Sequence, residues 1–160
     1  MMNLPENEIS EEDVLDGDIR SDLFLIFETD AEEYALDVAS VFEILPMPAV
    51  ITFVPHVPPY VEGIINLRGD IVPVISVRTR FAKETIPYDD STCIVVVQHE
   101  EYTLGLIVDA VNGVVPITDE QIAPPPNVRL SYSNVFIKSI GKIESGVKLL
   151  LDLEKVIFEA

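Results

Sequence analysis

The chain has no tryptophan, one cysteine, two histidines and seven glycines, and its ten lysines and arginines face twenty-eight aspartates and glutamates. Each scarcity excludes something. A single cysteine, Cys93, cannot form a disulfide framework within one chain, and its place in the run Thr92-Cys-Ile-Val-Val-Val97 is that of a small buried hydrophobe. His56 and His99 lie far apart with no His-x-x-x-His or Cys-x-x-Cys spacing, so zinc and thiol-nucleophile chemistry both lack their usual ligand sets. The few glycines include no phosphate-cradling loop that runs from a strand into a helix with Lys-Ser or Lys-Thr. A formal charge of −18 repels nucleic acid and anionic lipid alike, which leaves proteins with basic or apolar patches as the expected partners. No apolar run approaches the roughly 20 residues of a membrane span, and no basic, then apolar leader opens the chain. Together with the cysteine usage, these absences predict a cytoplasmic protein without membrane insertion.

What remains is rich in apolar residues, at 48% of 160, enough for a folded interior. Residues 1–22 stand apart: Glu6, Glu8, Glu11, Glu12, Asp13, Asp16, Asp18 and Asp22 accompany one base, Arg20. Such a segment cannot bury enough surface to offset its ordering entropy, so a disordered acidic tail is expected over 1–22 and a folded domain over 23–159. From Leu23 onward, short β-branched and aromatic runs are cut by Pro, Gly, Asp and Asn. Strands are expected at 23–29, 34–38, 42–45, 49–54, 62–67, 71–77, 92–100, 102–108, 113–117, 136–143 and 147–151. Cys93–Val97 and 149–151 are apolar at successive positions and so should be covered on both faces. Helical signal is confined to 58–61, 78–83, a turn opening at Thr118, and a final helix capped by Asp152.

The chain also echoes itself. Phe24-Leu-Ile-Phe27, a polar tip, Tyr34-Ala-Leu36 and Val38…Val41…Ile44…Pro46 recur as Ile94-Val-Val-Val97, the tip His99-Glu-Glu101, Tyr102-Thr-Leu104 and Val108…Val111…Val114…Pro116. Two similar five-stranded units are expected side by side, each closing on itself to limit exposed edges. Pro73 must mark a bulge, a bend or an edge, because it cannot donate to a ladder.

The most informative stretch is Gly63-Ile-Ile-Asn-Leu-Arg-Gly-Asp-Ile-Val-Pro-Val-Ile-Ser-Val-Arg78, two apolar strands folded about Arg68-Gly69-Asp70. Arg68, Arg78, Arg80 and Lys83 form a cationic spot on an acidic chain, a candidate docking surface. Arg68-Gly69-Asp70 also matches an adhesion tripeptide, but Gly69 is explained as a turn residue able to take positive φ. Glu43, between Phe42 and Ile44, reads by alternation as the outward side of a strand. Asn66-Leu-Arg-Gly69, Ile71-Val-Pro-Val74 and Arg78, joined by Tyr34-Ala-Leu-Asp-Val38, Val41-Phe-Glu-Ile44, Gly105-Leu-Ile-Val-Asp-Ala-Val111 and Asp119-Glu-Gln-Ile122, resemble the CheW family of bacterial chemotaxis coupling proteins over about 23–158.

The resemblance implies an all-β fold of two intertwined five-stranded SH3-like barrels with a few short helices. It implies no catalytic activity, cofactor or metal. The implied role is that of an adaptor coupling the cytoplasmic tips of chemoreceptors to the regulatory domain of the histidine kinase CheA, at membrane-associated arrays where other CheW copies also form rings. Carried over by position, the receptor contact would be Val41, Glu43 and Arg68, and the kinase contact would be sought at Ile51, Phe53, Val54, Ile71 and Val72. Ser76 and Val77 stand where many relatives carry aspartate and leucine. An adaptor of pilus motility or another chemosensory pathway, and a small β-barrel enzyme or ligand binder using an inter-barrel pocket, remain open as alternatives.

Overall fold

A computed structural model of the chain describes residues 22–47, 50–125 and 135–159. The acidic-tail expectation, apart from Asp22, lies outside these residues. Eleven strands are present among them. The first five are β1 (Leu23–Thr29), β2 (Glu32–Asp37), β3 (Val41–Pro46), β4 (Val61–Leu67) and β5 (Asp70–Ser76). Then come β6 (Cys93–His99), β7 (Tyr102–Val108), β8 (Ala110–Pro116), β9 (Ile122–Ala123), β10 (Ile137–Ile143) and β11 (Gly146–Leu151). Two short helices are α1 (Val77–Arg80), capped by Ser76, and α2 (Leu153–Phe158), capped by the expected Asp152. Single 3-10 turns occupy Val38–Ser40 and Asp119–Gln121.

The strands form two sheets, ordered β8-β1-β2-β11-β10-β9 and β3-β6-β7-β5-β4. The internal echo becomes geometric here. In each sheet an antiparallel hairpin (β1–β2, β6–β7) meets a parallel neighbour (β11, β5) that is itself half of a second hairpin. The fifth strand is exchanged: β3 follows β2 yet pairs with β6, and β8 follows β7 yet pairs with β1. The two units are therefore intertwined, and the six-stranded sheet differs only by the two-residue β9.

Side-chain packing explains the successive apolar runs. On β6, Cys93, Val95 and Val97 enter a central core shared by both sheets, while Ile94 and Val96 enter a second cluster within their own sheet. That second cluster gathers Leu45 and Met47 from the β3 side and Ile65 and Leu67 from β4, the two opposite edges, so the sheet is curled around it. Phe24, Ile26, Ala35, Ile117 and Leu150 fill the other sheet in the same way. A strand with one face in each core has no solvent side and needs no polar alternation. A chain of ring contacts runs through the central core from Phe27 to Tyr34, Phe81 and Phe136, with centroids 5.0–5.4 Å apart.

Two expectations require correction. Residues 58–61 form a turn before β4, because Pro58-Pro59 places two ring-locked residues without N–H groups there. The segment 49–54 forms no strand among its described residues; it makes a single bridge, Thr52 to Ile64. Prolines at 48 and 55 bound the segment closely, and neither can extend a ladder beyond it by donating an N–H. Pro73 is on an inner strand, but in the part of β5 that pairs with β4 alone, since the β7 pairing begins at Val74.

Gly63 is what lets residues 51–54 lie against β4. A Cβ there would sit 2.2 Å from the Thr52 carbonyl oxygen, and the bridge itself is held by N–H···O bonds of 2.8 and 2.9 Å. Gly63→Ala is expected to cost at least about 2 kcal/mol and to release residues 50–54. Urea denaturation would measure the loss, and faster amide exchange at Thr52 and Ile64 would locate it; unchanged exchange at both would contradict it.

Candidate protein-docking site

The β4–β5 hairpin turns through two residues, Arg68 (φ 54) and Gly69 (φ 92), with Leu67 paired to Asp70. Positive φ at both positions is the type I′ geometry that suits strand twist. Asn66 locks it, its side-chain oxygen accepting from the Gly69 N–H at 2.8 Å. Arg68 is thus held at the tip in a left-handed conformation that costs a non-glycine residue on the order of 1 kcal/mol.

From that tip Arg68 donates from both terminal nitrogens to the two carboxylate oxygens of Glu43, at 2.6 and 2.9 Å. The hydrogen bonds from Arg68 hold the Glu43 carboxyl below its ordinary value, against a small opposing effect of burial, and Glu43 in turn raises Arg68. The pair bridges the two edges of one sheet, β3 and β4 with its turn. Arg68 remains 66% exposed, so its guanidinium edge is open to a partner.

Alternation along β3 runs opposite to the expected sense. Phe42 and Ile44 are exposed, at 53% and 41%, while Val41, Glu43 and Leu45 are half-buried. A bulge between Val41 and Glu43 shifts the register against β6, while the alternation of burial continues unbroken along the strand. Val41 packs against the central core. Beside Arg68 lies a groove of about 390 Å³ that includes Phe42, Leu67, Ile71, Gln98, Glu101 and Thr103. Phe42, Gln98 and Glu101 were absent from the sequence-derived site. Phe42 lies within the motif that carries the resemblance, but which face of β3 meets the groove, like the β7 side of that groove, is decided by sheet packing.

The kinase candidates separate. Phe53 is 77% exposed and Ile71 63% exposed, and Val50 on the same segment as Phe53 is 86% exposed. Ile51 and Val54 are half-buried, Ile51 against the β3–β7 sheet's own cluster. Val72 is 2% exposed and belongs to that interior, and its place is in the lining of the Arg68 groove rather than on an exposed face. Ile71 shares the Arg68 groove rather than a surface of its own.

The cationic spot also dissolves. Arg78 forks onto Asp109 at 3.0 and 2.7 Å and gives its third donor to the Glu84 carbonyl. Asp109 accepts in addition from the Asp30 N–H in the β1–β2 turn, and Lys83 lies 3.6 Å from Asp30. These contacts tie the loop after α1 to the opposite sheet. Arg80 is buried. Only Arg68 presents a cation at the hairpin tip.

Among the described residues, three carboxyls are held below their ordinary values. For Glu33 the hydrogen bond from buried Lys148 is the main cause, then that from Asn112. For Asp109 burial pushes upward, and the Arg78 and Asp30 hydrogen bonds with the Arg78 charge outweigh it; Glu43 is the third. A carboxyl depressed on folding stabilises above its unfolded value and loses that contribution as pH falls through the folded value. Stability to urea should therefore be flat from neutrality to about pH 5 and fall below it. Asp109→Asn should be weaker at pH 7 with a shallower acid slope; a slope equal to that of the parent would remove Asp109 from the explanation.

Two curled, strand-exchanged sheets with a groove of mixed polar and apolar lining beside a rigid charged tip define an all-β protein-docking module. The CheW-like domain family matches residues 23–160, and the chain belongs to that family, whose members are non-enzymatic scaffold proteins of chemotaxis. It is 34% identical to the chemotaxis protein CheW of Klebsiella aerogenes, over 89% of this chain and 86% of that protein. The Bacillus subtilis chemotaxis protein CheW is 32% identical, over 83% and 85%. The crystal structure of scaffolding protein TtCheW from Thermoanaerobacter tengcongensis superposes with a TM-score of 0.80 at 34% identity, covering 88% of this chain and 94% of that one. No helix among the described residues is long and apolar enough to cross a membrane.

Proposed function

We propose that this chain couples the cytoplasmic tips of chemoreceptors to the histidine kinase CheA and is carried to membrane-associated arrays by those partners, where further copies of the chain join in rings. The observation that carries the reading is the Arg68–Glu43 pair standing beside the Phe42–Ile71 groove. An amphipathic receptor hairpin would lay an apolar stripe on Phe42, Leu67 and Ile71, while the exposed edge of Arg68 and the polar groups Gln98, Glu101 and Thr103 fix its register through hydrogen bonds. Val41 supports the site from behind, packing under β3. The kinase contact is assigned to the exposed Val50 and Phe53, with Ile51 and Val54 as their anchors. Ile71 moves to the receptor side and Val72 leaves the set.

The test is reconstitution from receptor-tip fragments on vesicles, the cell's own CheA, and this protein. Kinase should sediment with the vesicles, and change its autophosphorylation rate, only when this protein is present. Equal sedimentation without it would overturn the reading.

A further inference from the structure

A second cavity, of about 310 Å³, lies where the loop between α1 and β6 meets β4, β5 and β7. Its walls include Ile86, Pro87, Tyr88 and Ile107, with Glu62, Arg78 and Asp109 as the charged groups. Arg78 and Asp109 are spent on each other, the third Arg78 donor on the Glu84 carbonyl, and one Asp109 oxygen on the Asp30 N–H as well. Glu62 is different. It is half-buried and, among the described residues, has neither a hydrogen bond nor an ion pair to its side chain. It is also the extra residue of a bulge between Val61 and Gly63, a device that re-aims a side chain out of a ladder.

The cavity therefore holds one uncompensated negative charge among aliphatic walls and an aromatic ring. Tyr88, itself half-exposed, lines the cavity together with Glu62, and its phenol is raised by burial first and then by the charge of Glu62. A half-buried carboxylate with no partner among the described residues is free to take charge-assisted hydrogen bonds from a cation. Aliphatic walls call for an aliphatic stem, and the Tyr88 ring adds cation–π attraction for the charged head. The chain's charge of −18 raises the local concentration of basic groups. We propose that this cavity receives the side chain of a lysine from a protein partner, its ammonium on Glu62 and its stem against Ile86, Pro87 and Tyr88. The site is separate from the Arg68 groove and shares no lining residue with it.

The experiment titrates the labelled full-length protein with acetyl-Gly-Lys-Gly-amide, acetyl-Gly-norleucine-Gly-amide and n-butylammonium, following amide shifts of Ile86, Tyr88 and Ile107. The lysine peptide should saturate, and the norleucine peptide, equal in stem but uncharged, should bind at least tenfold more weakly. Glu62→Gln should weaken the lysine peptide at least fivefold, whereas Glu120→Gln, an exposed acid elsewhere, should leave it unchanged. The spectrum of each variant reports whether it is folded. Equal binding of the lysine and norleucine peptides, or indifference to Glu62→Gln, would overturn the proposal. So would tighter binding of n-butylammonium than of the lysine peptide, which would assign the cavity to a free amine instead of a partner's side chain.

Discussion

Arg80→Ala is expected to destabilise the protein by about 3–5 kcal/mol, on the order of 10 °C in Tm. Arg80 is 2% exposed and, among the described residues, has no carboxylate partner. Its charge is met by main-chain oxygens instead: Nε donates to the Val156 carbonyl at 2.8 Å, and one terminal nitrogen donates to the carbonyls of Lys155 and Glu159. These carbonyls lie at the C-terminal end of α2, that of Lys155 also accepting from the Glu159 N–H, where the helix dipole favours a cation. The guanidinium also lies over the rings of Tyr60 and Phe136, at 4.3 and 4.7 Å. One side chain thus joins α1, α2, the approach to β4 and the approach to β10. Arg80→Lys should recover only part of the loss, since an ammonium cannot fork to three carbonyls and stack on two rings. Arg80→Met, which keeps the stem's packing, should fall between Lys and Ala. Calorimetric Tm values check the order; a loss under about 1 kcal/mol for Arg80→Ala would show that the helix end is held by something else.

Arg68→Glu should leave the fold intact and weaken binding of a receptor-tip fragment at least tenfold. The stability effect is small because the Arg68–Glu43 pair is exposed, and such pairs contribute from nothing to about 1 kcal/mol. The binding effect is large because the reversal removes a donor and sets a second carboxylate beside that of Glu43, a repulsion at the margin of the groove. The accompanying swap Arg68→Glu with Glu43→Arg restores the ion pair but exchanges which strand carries the cation. Binding that recovers in the swap would mean the pair acts only by bracing the hairpin; binding that stays lost would identify the guanidinium at position 68 as the contact. Calorimetry with the receptor fragment distinguishes these, and wild-type affinity in Arg68→Glu would exclude Arg68 from the interface.

Much of the site was legible in sequence because its determinants are local. Asn66, Arg68 and Gly69 encode their own turn: the side chain of Asn66 reaches the Gly69 N–H, and the two-residue loop needs the positive φ that Gly69 takes freely. Strand positions followed from β-branched runs, and the Asp152 cap from a polar residue ahead of an apolar helix face. The errors fell where distant residues decide. Glu43 lies on the half-buried face of β3, where Arg68 from the opposite edge of the curled sheet meets its carboxylate. Val72 is interior because the far edge of its own sheet curls over it. Arg78, Arg80 and Lys83 are neighbours of Arg68 in sequence, yet they point to Asp109, to α2 and to Asp30.

The sequence by itself determined an acidic all-β chain of two echoing units and the hairpin that presents Arg68, since these rest on composition, periodicity and turns a few residues long, and its motifs carried the resemblance to the family. Tertiary structure alone decided that β3 and β8 are exchanged between the units, that Glu43 is the partner of Arg68, and that Glu62 is left unpaired in a cavity. Each of these depends on which strands lie side by side, and strand pairing over long separations is set by the burial of two-faced strands in shared cores rather than by any local signal.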